Sequence, residues 1–235
     1  MLKISPRRHG QGSGARRGFT LIELLIVIAI ILILIAIALP NFLEAQIRAK
    51  VTRVKADLRT IATAMESYLQ DWQIYPPDSE DEFDGDNHGL AQLTSPLQYL
   101  QELPFDVFIG GGRAQDGTPV YFEMGSTGLK PEFLAQGLRP VRNIHAYALY
   151  SHGPNTTDDF NGEKDFPWGG PGNPCQDPDK PTFGTFSYSP TNGTRSRGNL
   201  LQWGGSYTAG HYCLDRVEIR GAFWRCSGVV GSPNC

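Results

Sequence analysis

The sequence is short of the groups that most often announce chemistry. Its four cysteines contain no C-x-x-C pair, which removes the common zinc-ribbon and dithiol spacings. The acidic run Asp78–Asp86, DSEDEFDGD, holds six carboxylates in nine residues but no glutamate where the twelfth ligand of an EF-hand would fall. It reads as a solvated loop. Gly110-Gly111-Gly112 lacks the Lys-Ser/Thr that grips phosphate and magnesium, so it reads as a flexible connection. A basic excess is missing too, since the formal net charge is -3, and this argues against a large nucleic-acid footprint. His145, His152 and His211 show no metal-ligand spacing and read as surface or structural residues. Ser151, His152 and Asp158 crowd one short loop, which cannot set nucleophile, base and orienting acid in catalytic geometry. No enzyme is expected.

What is present is an apolar run. Phe19 to Leu39, FTLIELLIVIAIILILIAIAL, has twenty-one residues, a single charge at Glu23 and no helix breaker before Pro40. A helix of that length spans about 30 Å, the thickness of a bilayer's hydrocarbon core. The apolar region of a cleaved secretory signal is shorter and ends in small residues. A retained membrane helix is therefore expected. Glu23 is costly in lipid unless it finds a counter-charge, and the nearest charged residues are Arg17 and Glu44. Its partner should come from another chain or from a newly made terminus. The preceding residues 1–18 carry Lys3, Arg7, Arg8, Arg16 and Arg17 and no acid, so losing them takes the charge from -3 to -8. Their positive charge predicts that this end stays cytoplasmic and that everything after Pro40 is periplasmic or extracellular.

Beyond Pro40, which should kink or loosen the helix, apolar residues recur at threes and fours: Ile47, Val51, Val54, Leu58, Ile61, Met65, Tyr68 and Trp72. Arg48, Lys55, Asp57, Arg59 and Glu66 occupy the opposite face. This predicts an amphipathic helix laid on a globular domain, closed by Tyr75-Pro76-Pro77. A short helix is expected over 90–103, with Leu93, Leu97 and Leu100 inward and Pro104 as its stop. From Phe105 the period turns toward two. Antiparallel strands are predicted at 119–123, 145–150, 183–188, 200–203, 212–219 and 222–226, and 158–180 reads as loop. The expected fold is α+β, a long N-terminal helix packed on an antiparallel sheet. Its segments are 1–18, a basic leader; 19–39, a membrane helix; 40–75, an amphipathic helix; and 76–235, a globular head. Cys175, Cys213, Cys226 and Cys235 all fall in the head, where two disulfides are expected. Three pairings are open, and a turn at Arg220-Gly221 favours Cys213 with Cys226, leaving Cys175 for Cys235.

The octet Arg16-Arg17-Gly18-Phe19-Thr20-Leu21-Ile22-Glu23, together with Pro40, resembles the class III signal of type IV pilins and type II secretion pseudopilins. The resemblance implies cleavage after Gly18 by a prepilin peptidase and N-methylation of the new terminus, Phe19. It also implies assembly in which Glu23 offsets the terminus of a neighbouring subunit. The expected partners are further copies of the chain, the peptidase, an inner-membrane assembly platform and minor pilins or pseudopilins. Ser151-His152-Gly153-Pro154-Asn155, followed by Asp158-Asp159, and Gly198-Asn199-Leu200 are similar to the calcium loop of major pseudopilins. Asn155 and Asn199 stand where that pattern has Asp. The resemblance implies a calcium ion held by Asn155, Asp158, Asp159 and Asn199 with backbone carbonyls. A minor or adhesive pilin is the rival, with Phe166-Pro167-Trp168 and Trp203 as exposed aromatic loops that bind a surface, sugar or DNA.

Overall fold

The computed structural model describes residues 18–77, 89–109, 119–128, 144–160, 175, 185–193 and 195–221. The expectations on the leader, the acidic run 78–86, the triple glycine, Phe166–Trp168, the strand 222–226, Cys226 and Cys235 lie outside them. The chain divides into two compact units, Met1–Glu44 and Ala45–Cys235.

Helix α1, Leu21–Trp72, runs through Pro40 without a break in its assignment. Residues 18–43 are all exposed, and among the described residues nothing covers their apolar surface. From Val51 onward the helix changes character. Val54, Leu58, Ile61 and Met65 are almost inaccessible and Tyr68 is buried, so the three-and-four spacing maps directly onto the packed face. On the solvent side Thr52, Thr60, Thr63 and Ser67 return their hydroxyls to the carbonyl four residues back. Glu66 is less free than the polar stripe implies. Its Oε1 accepts from the buried hydroxyls of Tyr75 at 3.0 Å and Tyr147 at 3.2 Å, pinning the helix to the sheet. Burial, followed by that carboxylate, pushes the Tyr75 phenol well above its ordinary pKa. Burial and the Glu66 charge do the same to Tyr147.

Strands β1 (Glu123–Ser126), β2 (Ala146–Ser151) and β3 (Leu200–Gly205) form an antiparallel sheet with β2 in the centre. Every residue of β2 is buried because the sheet is covered on both faces. Tyr147 and Leu149 point to the cluster built on α1, and Ala146, Ala148 and Tyr150 to a second cluster with Phe160 and Tyr212. Strands β4 (His211–Leu214) and β5 (Val217–Arg220) make a separate hairpin.

Four expectations are corrected. The short helix at 90–103 is a single 3-10 turn, Gly89–Leu93, and Leu97 is exposed, because Pro96 removes a donor and restrains its predecessor long before Pro104. The strand at 119–123 begins only at Glu123, with Tyr121 bridging Phe105. Of the strand expected at 183–188, the described residues 185–188 show isolated bridges, Thr185 to Leu214 and Ser187 to Asn199. The strand 212–219 folds back on itself at Asp215-Arg216, both with positive φ, a two-residue turn that matches strand twist.

That turn also undoes the preferred disulfide. Cys213 faces Glu218 across the hairpin, so the chain reverses at Asp215-Arg216, before the turn expected at Arg220-Gly221. Cys213 is bonded to Cys175 instead, with Cα atoms 5.0 Å apart and a sequence separation of 38. On the chain-entropy account, closing such a loop contributes about 2–4 kcal/mol. Cys213→Ser should therefore lower the urea midpoint of the oxidised protein, and dithiothreitol should lower the unsubstituted protein to the same value.

Candidate assembly and cation sites

At the N-terminus Gly18, Phe19 and Thr20 precede the first turn of α1. A Cβ added at Gly18 would meet nothing within 4 Å, so packing of this chain does not ask for glycine there. Phe19 is 75% exposed. Thr20 and Glu23 form a reciprocal cap. The Thr20 N–H and hydroxyl donate to Glu23 Oε2 at 2.8 and 2.6 Å, and the Glu23 N–H donates to Thr20 Oγ1 at 3.3 Å. Glu23 thus has a local hydrogen-bond partner in Thr20, which supplies no counter-charge. The T-x-x-E spacing was the signal for it. No hydrogen bond to its other oxygen, Oε1, is seen among the described residues.

The second site lies in the head, beyond the end of β2. A turn through Gly153 and Thr156, both with positive φ, brings Asn155, Asp158 and Asp159 to the Gly198-Asn199 segment. All four residues expected around calcium are gathered there, by hydrogen bonds among themselves. Asn155 Nδ2 donates to Asp159 Oδ2 at 2.8 Å, the Asp159 N–H donates to Asn199 Oδ1 at 3.0 Å, and Asn199 Nδ2 donates to Asp158 Oδ1 at 2.9 Å. The Phe160 N–H also donates to Asp158 Oδ1.

The donor set does not fit calcium as arranged. Asp159 is buried and both its oxygens are engaged, Oδ2 by the Gly198 N–H at 2.8 Å and Oδ1 by Arg197 Nε at 2.7 Å. The guanidinium, stacked 3.8 Å over the Phe186 ring, already supplies the positive charge. Among the described residues Asn155 Oδ1 is buried without a hydrogen-bond partner and Asp158 Oδ2 accepts none, but two such oxygens are far short of the six to eight that calcium takes. Gly198, at φ +118, is where only glycine serves, because a Cβ would strike the Ser187 backbone.

Arg197 was missed because Asp159, the carboxylate it pairs with, lies 38 residues away. His152 was missed for a similar reason. Its Nε2 lies 2.6 Å from Glu123 Oε1, and its backbone N–H donates to Oδ2 of the fully buried Asp106 at 3.2 Å. Burial pulls the imidazole pKa down, but Glu123, Asp158 and Asp106 outweigh it and hold the ring charged above its ordinary range. Burial raises Asp106, opposed by hydrogen bonds from Ser151, Phe108 and His152. Ser151 is buried and accepts from the Gly153 N–H, so it is not presented as a nucleophile. His211 is buried against Glu218, and burial pulls the His145 pKa below its ordinary value. Trp203 is half-buried rather than fully exposed. It stacks on Tyr207 and Tyr212 at 5.7 and 5.4 Å, packed against the second cluster.

A helix long and apolar enough to cross a membrane, entered through a Thr-Glu cap and continued into an α+β head, defines a pilin-like chain. Residues 14–39 match the prokaryotic N-terminal methylation motif. The chain is 51% identical over 59 residues to the type IV major pilin protein PilA of Myxococcus xanthus, covering 25% of this chain and 27% of that one. It is 41% identical over 85 residues to the fimbrial protein EcpB of Eikenella corrodens, 36% of this chain and 50% of the relative. It is 42% identical over 59 residues to type II secretion system core protein G of Pseudomonas aeruginosa, 25% and 42% respectively. The chain thus spans half or less of the length of these relatives. No solved structure is a significant match. Over residues 14–39 the chain carries this motif, and over a quarter to about a third of its length it is similar to type IV pilins and to a type II secretion core protein.

Proposed function

We propose that the chain is a structural subunit of a type II secretion pseudopilus or a type IV pilus-like filament. It is cut between Gly18 and Phe19, methylated at Phe19 and polymerised through α1. One observation carries this reading. The methylation motif coincides with a helical stretch whose apolar surface is exposed on every side, and such a surface needs lipid before assembly and neighbouring copies after it. The basic leader keeps the N-terminus cytoplasmic and sends the head to the periplasm. A prepilin peptidase, an assembly platform and minor subunits are the partners this life cycle requires. Trp203 gives the adhesive reading little support, since one side of it is stacked on Tyr207 and Tyr212.

The experiment is intact-mass and N-terminal analysis of the chain purified from its host. A product lacking residues 1–18 and beginning at methylated Phe19 is expected. A mature chain starting elsewhere would overturn the assignment.

A further inference from the structure

The head holds one cluster that filament assembly does not use. Glu123 opens β1, His152 follows β2, and Asp158 sits in the turn beyond, yet a ligand atom from each lies within 4.8 Å of the others. Antiparallel pairing puts them there. Glu123 is opposite Tyr150, so the chain leaving β2 carries His152 alongside β1. We propose that Glu123 Oε1, His152 Nε2 and a carboxylate oxygen of Asp158 form a binding site for a divalent transition-metal ion of the zinc type. This would tie β1, β2 and the loop after it together at the edge of the sheet.

Three observations support this. The donors are one imidazole nitrogen and two carboxylates, a set that suits zinc and its neighbours better than the all-oxygen cations calcium and magnesium. Their supports are in place as well. The His152 backbone is held by buried Asp106, and Asp158 is fixed through Oδ1 by the Phe160 N–H and Asn199 Nδ2. No hydrogen bond to Asp158 Oδ2 is seen among the described residues. Finally, the site is sheltered but reachable, the His152 and Glu123 side chains being 17% and 14% exposed and Asp158 open to solvent. Tetrahedral zinc separates its nitrogen and oxygen ligands by about 3.3 Å. The 2.6 Å contact between His152 and Glu123 must therefore open by less than an ångström, about one small side-chain rotation.

The test uses the full chain in detergent micelles, stripped with chelator and dialysed, then titrated calorimetrically with zinc chloride and in parallel with calcium chloride. One zinc ion per chain is expected, with a rise in Tm that calcium does not produce. Asp158→Asn keeps an oxygen for the Phe160 N–H and should stay folded while weakening zinc binding at least about tenfold. His152→Gln should abolish it. Should His152→Gln fail to fold by circular dichroism, Asp158→Asn decides. No zinc bound by the unsubstituted chain, or undiminished affinity in folded Asp158→Asn, overturns the site.

Discussion

Glu23→Ala is expected to leave the chain inserted in the membrane and cut after Gly18, and to abolish filaments. In lipid the carboxylate is a burden, so its loss should if anything ease insertion. In the assembly it is the one charge in a long apolar surface, and the amine of a neighbouring Phe19 is its natural complement. The structure adds a second role that has to be separated from the first, because Glu23 also caps α1 through Thr20. Glutamine at the third helical position fills a capping box as glutamate does, but carries no charge. Glu23→Gln should therefore preserve the start of α1 and still fail to polymerise. Glu23→Asp should be intermediate, the charge surviving on a shorter reach. Sheared filaments counted by microscopy for each variant decide the matter. Normal filaments from Glu23→Gln would make capping the function of this residue, and normal filaments from Glu23→Ala would remove it from assembly altogether.

The parts that were legible in the sequence are those governed by local rules. Apolar composition fixed the span beginning at Phe19, and three-and-four periodicity picked Val54, Leu58, Ile61, Met65 and Tyr68 as the packed face. The strand at 145–150 was visible because alternation survives even where both faces are covered. The misreadings come from chain reversals and distant partners. Nothing in the sequence singles out Asp215 and Arg216 as a pair at positive φ, so the reversal expected at Arg220-Gly221 falls five residues late and the cysteine pairing goes with it. Pro96 was overlooked as a helix stop although it obeys the same rule that was applied at Pro76. The loop after β2 was recognised, and its four residues do converge. What local spacing could not reveal was which cation closes it, because Arg197 reaches Asp159 only after the chain has gone around the sheet.

Arg197→Met is the second substitution with a large expected effect. Methionine keeps a stem against Phe186 and removes the guanidinium, leaving the Asp159 carboxylate, whose side chain is 6% exposed, with two N–H donors and no counter-charge. Stranding one half of a fully buried ion pair costs roughly 3–5 kcal/mol. Arg197 itself is 40% exposed, so water can partly take its place, and about 2 kcal/mol is the reasonable expectation. For a head of this size that is a fall in Tm of about 4–8 °C. Adding Asp159→Asn to Arg197→Met should recover part of the loss, since asparagine still offers an oxygen to the Gly198 N–H and no longer needs a cation, and the pair should be non-additive. Calcium is the control. If the guanidinium occupies the cation position, millimolar calcium leaves the Tm of the unsubstituted chain where it was, whereas a calcium-dependent rise would return the loop to the ion that its sequence suggests.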